Sequence, residues 1–108
     1  RFVARTMNGQ PKAAVTAVTA DTAYAVKVTD NLILLASTAG TKVLTLPTTT
    51  NEIVRITIRM TANTGGDYTA TVVGGTLTFN AANEIATIIS VPPTGTWVVE
   101  SLIGATIV

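Results

Sequence analysis

The chain has 108 residues, enough for one domain, with seven basic and six acidic side chains and neither cysteine nor histidine. These absences exclude a disulfide framework and every Ser-His or Cys-His nucleophile, and they leave zinc only carboxylate ligands, which are rare for that metal. Charged residues make up 12% of the chain, against about 25% in a typical globular domain. We therefore expect other protein to cover much of the surface; a threonine-rich surface that is polar without charge is the alternative.

β-Branched residues dominate the composition, with 22 Thr, 13 Val and 9 Ile. Such side chains fit a pleated strand better than a helix, so an all-β fold is expected. The best apolar run, Leu32 to Ala36, has the length of a strand and is far shorter than the roughly 18 to 20 residues that span a membrane. No contact with a membrane is therefore expected. Because the chain starts with Arg1 rather than Met, we expect it to be trimmed or processed.

The segment 1–22 is predicted to form an extended arm, and the segment 23–108 a single β domain. Positions 1–12 carry three basic and no acidic side chains, whereas positions 13–108 carry four basic and six acidic ones. Positions 11–22 are mostly small and bury little surface, so we expect the arm to lie against a neighbouring subunit; a frayed terminus is the alternative. The expected partner-binding residues of the arm are basic or apolar: Arg1, Phe2, Arg5, Lys12, Val15 and Val18.

Short strands separated by turns follow the arm. Residues 23–29 alternate Tyr24, Val26 and Val28 on one face with Ala25 and Lys27 on the other, as in a half-buried strand, and Asp30-Asn31 indicates a turn. The run from Leu32 to Ala36 is typical of a central strand buried on both faces. Residues 37–41 form a turn, and the strand at 42–46 ends at Pro47.

The clearest alternation lies in residues 52–60. Val54, Ile56, Ile58 and Met60 share one face and are expected in the core. The opposite face carries Arg55 and Arg59, about 13 Å apart at ~3.3 Å per residue. These two arginines either belong to an ordinary solvated face or form ion pairs between subunits.

The last third of the chain continues the same pattern. Strands are predicted over residues 68–73, 76–79, 84–91 and 96–103, with Gly74-Gly75 as a hairpin turn and a tail at 105–108 that pairs at an edge. Trp97 begins an apolar strand, so it is expected in the core, with a sugar-stacking platform as the alternative. About eight short strands predict an antiparallel β-sandwich or a jelly-roll-like barrel. A solenoid is disfavoured because no fixed repeat recurs.

Residues 29–103 carry a resemblance in the order and spacing of their segments. TDNLILLASTAGTKVLTLP (29–47) precedes the strand IVRITIR (53–59), a glycine-bearing hairpin at 74–77 and the strand GTWVV (95–99). This order resembles a β-rich module of phage virion structural proteins: tail fibres, tailspikes and capsid decoration or cement proteins. Because the module makes up most of this chain and follows a basic arm, the resemblance implies a non-enzymatic decoration protein on the capsid exterior. The implied partners are the major capsid protein and neighbouring copies, most simply as a homotrimer. A tail-fibre or tailspike-type host-attachment module and a free carbohydrate-binding module are the alternatives.

No catalytic, cofactor-binding or metal-binding residues are expected. The six acidic residues are spread along the chain, with no pair at a spacing that places two carboxylates together and no acidic run that would hold calcium. Nucleic-acid binding is not expected, because three basic residues on an arm and few aromatic residues provide little phosphate contact or base stacking.

Overall fold

The computed structural model describes residues 15–18, 22–49, 52–93 and 95–108, and within them it contains ten strands and no helix. The expected all-β class is therefore confirmed. Sheet 1 contains, in spatial order, β1 (Val15–Val18), β3 (Leu32–Ser37), β5 (Arg55–Asn63), β8 (Ile85–Val91) and β9 (Thr96–Ile103). Sheet 2 contains β10 (Thr106–Ile107), β7 (Gly75–Phe79), β6 (Tyr68–Val72), β4 (Lys42–Thr45) and β2 (Tyr24–Ala25).

The chain builds the two sheets in two different ways. From β1 to β6 it alternates between the sheets, so it winds as a coil of three turns and successive strands in each sheet run parallel. We call residues 15–72 the coiled half. From β7 to β10, which we call the hairpin half (residues 75–107), every pairing is antiparallel.

The coil explains why the predicted strand directions are wrong. Four of the eight strand pairings are parallel, which an antiparallel sandwich or a jelly-roll-like barrel does not contain. One turn of the coil leads from Val15 to its partner Leu32, and the next turn leads from Leu32 to its partner Thr57. The second turn uses a longer piece of chain than the first, and such unequal steps leave no fixed repeat in the sequence.

Part of the predicted arm belongs to a sheet. β1 lies within the predicted arm, yet it pairs in parallel with β3, and its last residue, Val18, is 6% exposed. Thr22 is also tied to the body, because its carbonyl accepts a hydrogen bond from the Tyr68 hydroxyl at 2.8 Å. The boundary predicted at residue 22 therefore does not coincide with the start of the sheet. The predicted arm residues 1–14 and 19–21 lie outside the described residues.

The core confirms the predicted alternation in β5. Ile56, Ile58 and Met60 are fully buried, together with the larger aromatic side chains Tyr68 and Phe79 of sheet 2. These residues belong to a single apolar cluster with contributions from both sheets. Because the cluster spans the coiled half and the hairpin half, both halves depend on the same core.

The strand from Leu32 is buried on one face only, contrary to the prediction. Ile33 and Leu35 are fully buried, whereas Leu32 and Leu34 are half-buried on the opposite face. No second layer covers that opposite face in the described part of the chain, so its aliphatic side chains form part of the surface.

Polar contacts hold two corners of the coil on top of each other. The Ser37 hydroxyl, at the end of β3, donates to the Gly65 carbonyl at 2.7 Å, and the Thr64 N–H donates to the Ser37 carbonyl at 2.9 Å. The buried Lys42 ammonium donates to the Ser37 hydroxyl and to the Ala39 carbonyl, each at 2.7 Å. The β3–β4 corner is thereby fastened to the β5–β6 corner.

Candidate interaction surfaces

The outward side of sheet 1, which we call outer face 1, is mainly aliphatic on the strands either side of β5, while β5 itself is polar. One row of paired residues crosses all five strands: Ala17, Leu34, Arg59, Ile85 and Ile103. At about 4.8 Å between strands, this row is roughly 19 Å wide. Ile103 is 63% exposed at one edge of the sheet. An exposed, mainly apolar face of this width is typical of a protein–protein contact.

The two arginines singled out in the sequence lie on outer face 1, and both have partners within the chain. Arg55 makes a bidentate salt bridge to Glu100, with nitrogen–oxygen distances of 2.7 and 2.9 Å. Arg59 donates to the Asn83 side-chain oxygen at 2.9 Å. The hydrogen bonds and charge of this ion pair raise the pKa of Arg55 and lower that of Glu100, but an exposed pair of this kind stabilises the fold little.

A β-bulge places Glu100 where it can reach Arg55. The β8–β9 register pairs Thr87 with Ser101 and Ile88 with Val99, so Glu100 is an extra residue in β9. A bulge re-aims a side chain, and here the glutamate reaches across β8 to β5. The sequence contains no sign of this bulge, so the intrachain salt bridge was not foreseen.

The outward side of sheet 2, outer face 2, is rich in threonine. Thr69 pairs with Thr78, and Thr71 pairs with Thr76, all on the side away from the core. The row of Thr69 and Thr78 continues to Thr106 at one end. This face is polar without charge, as expected for a threonine-rich surface. Outer face 1, with its aliphatic side chains, corresponds instead to a surface covered by other protein.

A groove opens in sheet 2 where β4 and β6 part. The two strands pair only at Lys42–Tyr68 and Val43–Thr69. Beyond these pairs lies a cavity of about 400 Å³ lined by residues 43–48 of the β4 side, Thr71, Gly95 and Trp97. A smaller cavity of about 270 Å³ adjoins it across Thr71 and Trp97.

Trp97 forms the floor of the groove. Its indole N–H donates to the Pro47 carbonyl at 2.9 Å, and its own carbonyl accepts from the Val73 N–H at 2.8 Å. The side chain is 6% exposed, so the predicted core position of Trp97 is confirmed. So little of the side chain is exposed that it offers only a narrow surface for stacking with a sugar.

Asp30 joins the edge strands of both sheets. One carboxylate oxygen accepts the Thr16 hydroxyl of β1 at 2.8 Å, and the other accepts the Tyr24 hydroxyl of β2 at 2.8 Å and the Lys27 N–H at 2.9 Å. Burial raises the pKa of the Asp30 carboxyl, but these three hydrogen bonds and the Lys27 charge together outweigh burial and hold the pKa below its usual value. Burial and the same hydrogen bond raise the pKa of Tyr24.

The Lys27–Asp30 contact also corrects a predicted strand. Only Tyr24–Ala25 of the expected strand at 23–29 pairs in a sheet. The Asp30 carboxylate binds the Lys27 N–H, and the Asp30 N–H donates to the Lys27 carbonyl at 2.9 Å. A side chain that satisfies the backbone in this way favours a turn over a continued strand.

Three of the acidic residues make hydrogen bonds or ion pairs within the chain. Glu84 accepts the Asn80 and Ala81 N–H groups and closes the turn before β8. Glu100 pairs with Arg55, and Asp30 holds the edge strands. Within the described ranges, no group of three or more possible metal ligands is present.

The predicted arm residues divide between described and undescribed positions. Val15 is exposed at the start of β1, and Val18 is buried. Arg1, Phe2, Arg5 and Lys12 lie outside the described residues. The sequence predicted neither the groove nor the contacts of Asp30. An isolated Asp before a strand has the same pattern as an ordinary turn.

The comparisons with known proteins assign no family. No protein-family model matches the chain, and no curated protein is significantly similar to it. None of the described residues forms a helix long and apolar enough to cross a membrane.

Proposed function

We propose that this protein is a non-enzymatic component of a phage particle, a capsid decoration or cement protein that binds the major capsid protein on the outside of the shell. The observation that carries the proposal is outer face 1, whose aliphatic side chains on β1, β3, β8 and β9 flank a polar central strand β5. The order of strand motifs along residues 29–103, which resembles phage virion proteins, supplies the kind of particle.

Burial of apolar area would be the mechanism of reinforcement. At roughly 25 cal/mol per Å², each 1,000 Å² of apolar contact contributes on the order of 25 kcal/mol before the costs of ordering and docking. Repeated over a lattice, that contact resists pressure from the packaged DNA. Basic residues of the arm, including Arg1, Arg5 and Lys12, would add attraction to acidic capsid surfaces and to neighbouring copies.

Leu34 provides a direct test because it is an aliphatic member of the row that crosses outer face 1 and lies next to its central residue, Arg59. Leu34→Asp places a charge on outer face 1 without emptying the core, so binding to particles that lack the protein should fall strongly. Thr78→Asp, on outer face 2, is the matched control and should bind like the unmodified chain. Equal binding of both variants would exclude outer face 1 as the contact.

Particles that lack the protein test the function itself. A cement role predicts normal adsorption to cells and earlier loss of DNA on heating or chelation. Normal heat stability combined with lost adsorption would transfer the assignment to a host-attachment module.

The second candidate, a tail-fibre or tailspike-type module, is favoured by one observation. The parallel coil leaves β1 at the edge of sheet 1 and β2 at the edge of sheet 2. A further coil of a longer fibre could pair with these edges, as repeats do in stacked β-structures. Localisation to the tail in the same particles would support this candidate.

A further inference from the structure

The groove between β4 and β6 presents main-chain groups as well as side chains. The Lys42 N–H donates to the Asp67 carbonyl at 2.8 Å. In a parallel ladder with this register, the Val43–Thr69 pair brings the Leu44 N–H to the Thr69 carbonyl, so the next main-chain groups along the two strands are the Leu44 carbonyl and the Thr71 N–H. Two residues further along, the Val73 N–H donates to the Trp97 carbonyl of β9, so the open stretch ends there. Beyond Thr69 the ladder stops, so the edges of two strands face each other across the groove.

The size of the groove matches a short piece of extended chain. A strand occupies about 4.8 Å between neighbours, about 10 Å through the sheet and about 3.3 Å per residue, or roughly 160 Å³ per residue. The main cavity of about 400 Å³ therefore has room for about two to three residues. The described residues that line it include no charged side chain, and its rim carries Val43 (51% exposed) and the hydroxyls of Thr45 and Thr71. The chemistry fits an uncharged, apolar strand.

We infer that the groove binds the N-terminal segment of a second copy of this chain, with Phe2-Val3-Ala4 as the inserted strand. This triplet is apolar and is flanked by Arg1 and Arg5, so the triplet fills the groove while both charges remain outside. Eleven steps of the chain lead from Ala4 to Val15, and at about 3.3 Å each they span roughly 36 Å when extended. Strand addition of this kind takes its affinity from main-chain hydrogen bonds and its specificity from alternate side chains.

The inference rests on the proposed assembly role of the arm and gives it a defined receptor. A segment of one copy inserted into another makes a head-to-tail contact. Such contacts close into rings when the rotation allows, and three copies give the expected trimer.

Disulfide trapping tests the contact because the chain has no cysteine of its own. A full-length Val3→Cys protein is mixed with a full-length Thr71→Cys protein that carries a mass tag, under mild oxidation. Inserted arms bring the two sulfurs within disulfide range, whereas Thr106→Cys, on the same outer face at β10, provides the control for random collision. The yield of the Val3–Thr71 heterodimer should exceed that of the Val3–Thr106 heterodimer by roughly tenfold, because insertion raises the effective concentration of the two sulfurs.

Two outcomes of the trapping experiment would overturn the inference. Equal yields for Thr71→Cys and Thr106→Cys would show that the arm does not bind preferentially in the groove. A Val3→Cys/Thr71→Cys chain that closes on itself as a monomer would show that each arm fills the groove of its own chain.

Light scattering gives a second, independent readout. Thr71→Arg places a charge in the groove and should reduce the assembly to the 11.1 kDa monomer. Thr76→Arg, the cross-strand neighbour on the same face, should leave assembly unchanged. Unchanged assembly in both variants contradicts the inference. Binding to particles is measured in parallel. If the protein coats particles but Val3→Cys and Thr71→Cys form no disulfide, this inference is wrong and the proposed function still stands.

Discussion

The coiled half and the hairpin half reach the same core by different means. In the hairpin half, short turns such as Gly74-Gly75 bring sequence neighbours together, and the strand pattern alone specifies the pairing. In the coiled half, each strand pairs with one that lies a full turn of the coil away in the sequence, and buried polar groups at the corners fix their positions. Asp30 and Lys42 have this role. The apolar pattern therefore specifies which face of each strand is buried, whereas polar contacts at the corners specify how the chain winds.

A matched pair of core leucines tests whether the halves unfold together. Leu35 in β3 and Leu77 in β7 are both fully buried. Because they belong to one cluster, Leu35→Ala and Leu77→Ala should each lower the free energy of unfolding by about 2 to 5 kcal/mol. Chemical denaturation should show one transition in both variants. Two separate transitions in either variant would contradict a shared core.

Two glycines test the stacked corners of the coiled half. Gly66 and Gly40 both have positive φ, at 79° and 75°. A Cβ on Gly66 would clash with the Gly40 carbonyl oxygen, whereas a Cβ on Gly40 meets open space. Gly40→Ala should therefore cost about 1 to 2 kcal/mol from backbone strain alone, and Gly66→Ala about 2 to 5 kcal/mol because a clash is added. Thermal unfolding of both variants measures this, and equal losses would mean that the corners do not lie in contact.

Asp30 should stabilise the first turn of the coil more than any part of the hairpin half. Asp30→Asn removes the carboxylate that three donors share, so we expect a loss of roughly 1 to 3 kcal/mol. Hydrogen exchange should accelerate in β1 and β2 and stay unchanged in β8 and β9. Asp67→Asn is the control, and uniform acceleration across both sheets would contradict a local role.

Asp30 should also contribute to the pH dependence of the free energy of unfolding. The pKa of Asp30 in the fold lies below its ordinary value of 3.8, so its contribution is complete above that pH and is lost as the pH falls through the lower folded value. Denaturation followed from about pH 5 to about pH 2 should show stability falling in this window. In Asp30→Asn the free energy of unfolding should decrease less as the pH falls. If it decreases as steeply as in the unmodified chain, other carboxylates cause the acid sensitivity.

The exposed salt bridge should have the smallest effect. Arg55 and Glu100 are both well exposed, so solvent and salt screen their attraction. We expect Arg55→Ala to leave the unfolding midpoint within the scatter of replicate measurements. A clear destabilisation would mean that this pair helps to hold the bulge in β9.

The sequence predicts the hairpin half better than the coiled half. The limits of β9 and the antiparallel hairpin around Gly74-Gly75 both match the structure, because alternation and turn residues are local signals. The parallel coil could not be found, since its unequal steps leave no repeat. β1 escaped notice because its short run of small and β-branched residues has little apolar area of its own.

The sequence indicated the composition of the surface but not how it is divided between the two outer faces. Low charge content indicated a covered or hydroxylated surface, but the division into an aliphatic outer face 1 and a threonine-rich outer face 2 depends on strand register. Arg55 and Arg59 were correctly placed on one face. Their partners Glu100 and Asn83 depend on a bulge and a turn that bring distant residues together.

A density map of the intact particle tests the central claim most directly. We expect the domain on the outside of the capsid, with outer face 1 and its row from Ala17 to Ile103 against the major capsid protein. Outer face 2 should be turned to solvent or to neighbouring copies. Density confined to the tail, or a shell contact made by outer face 2, would contradict the account.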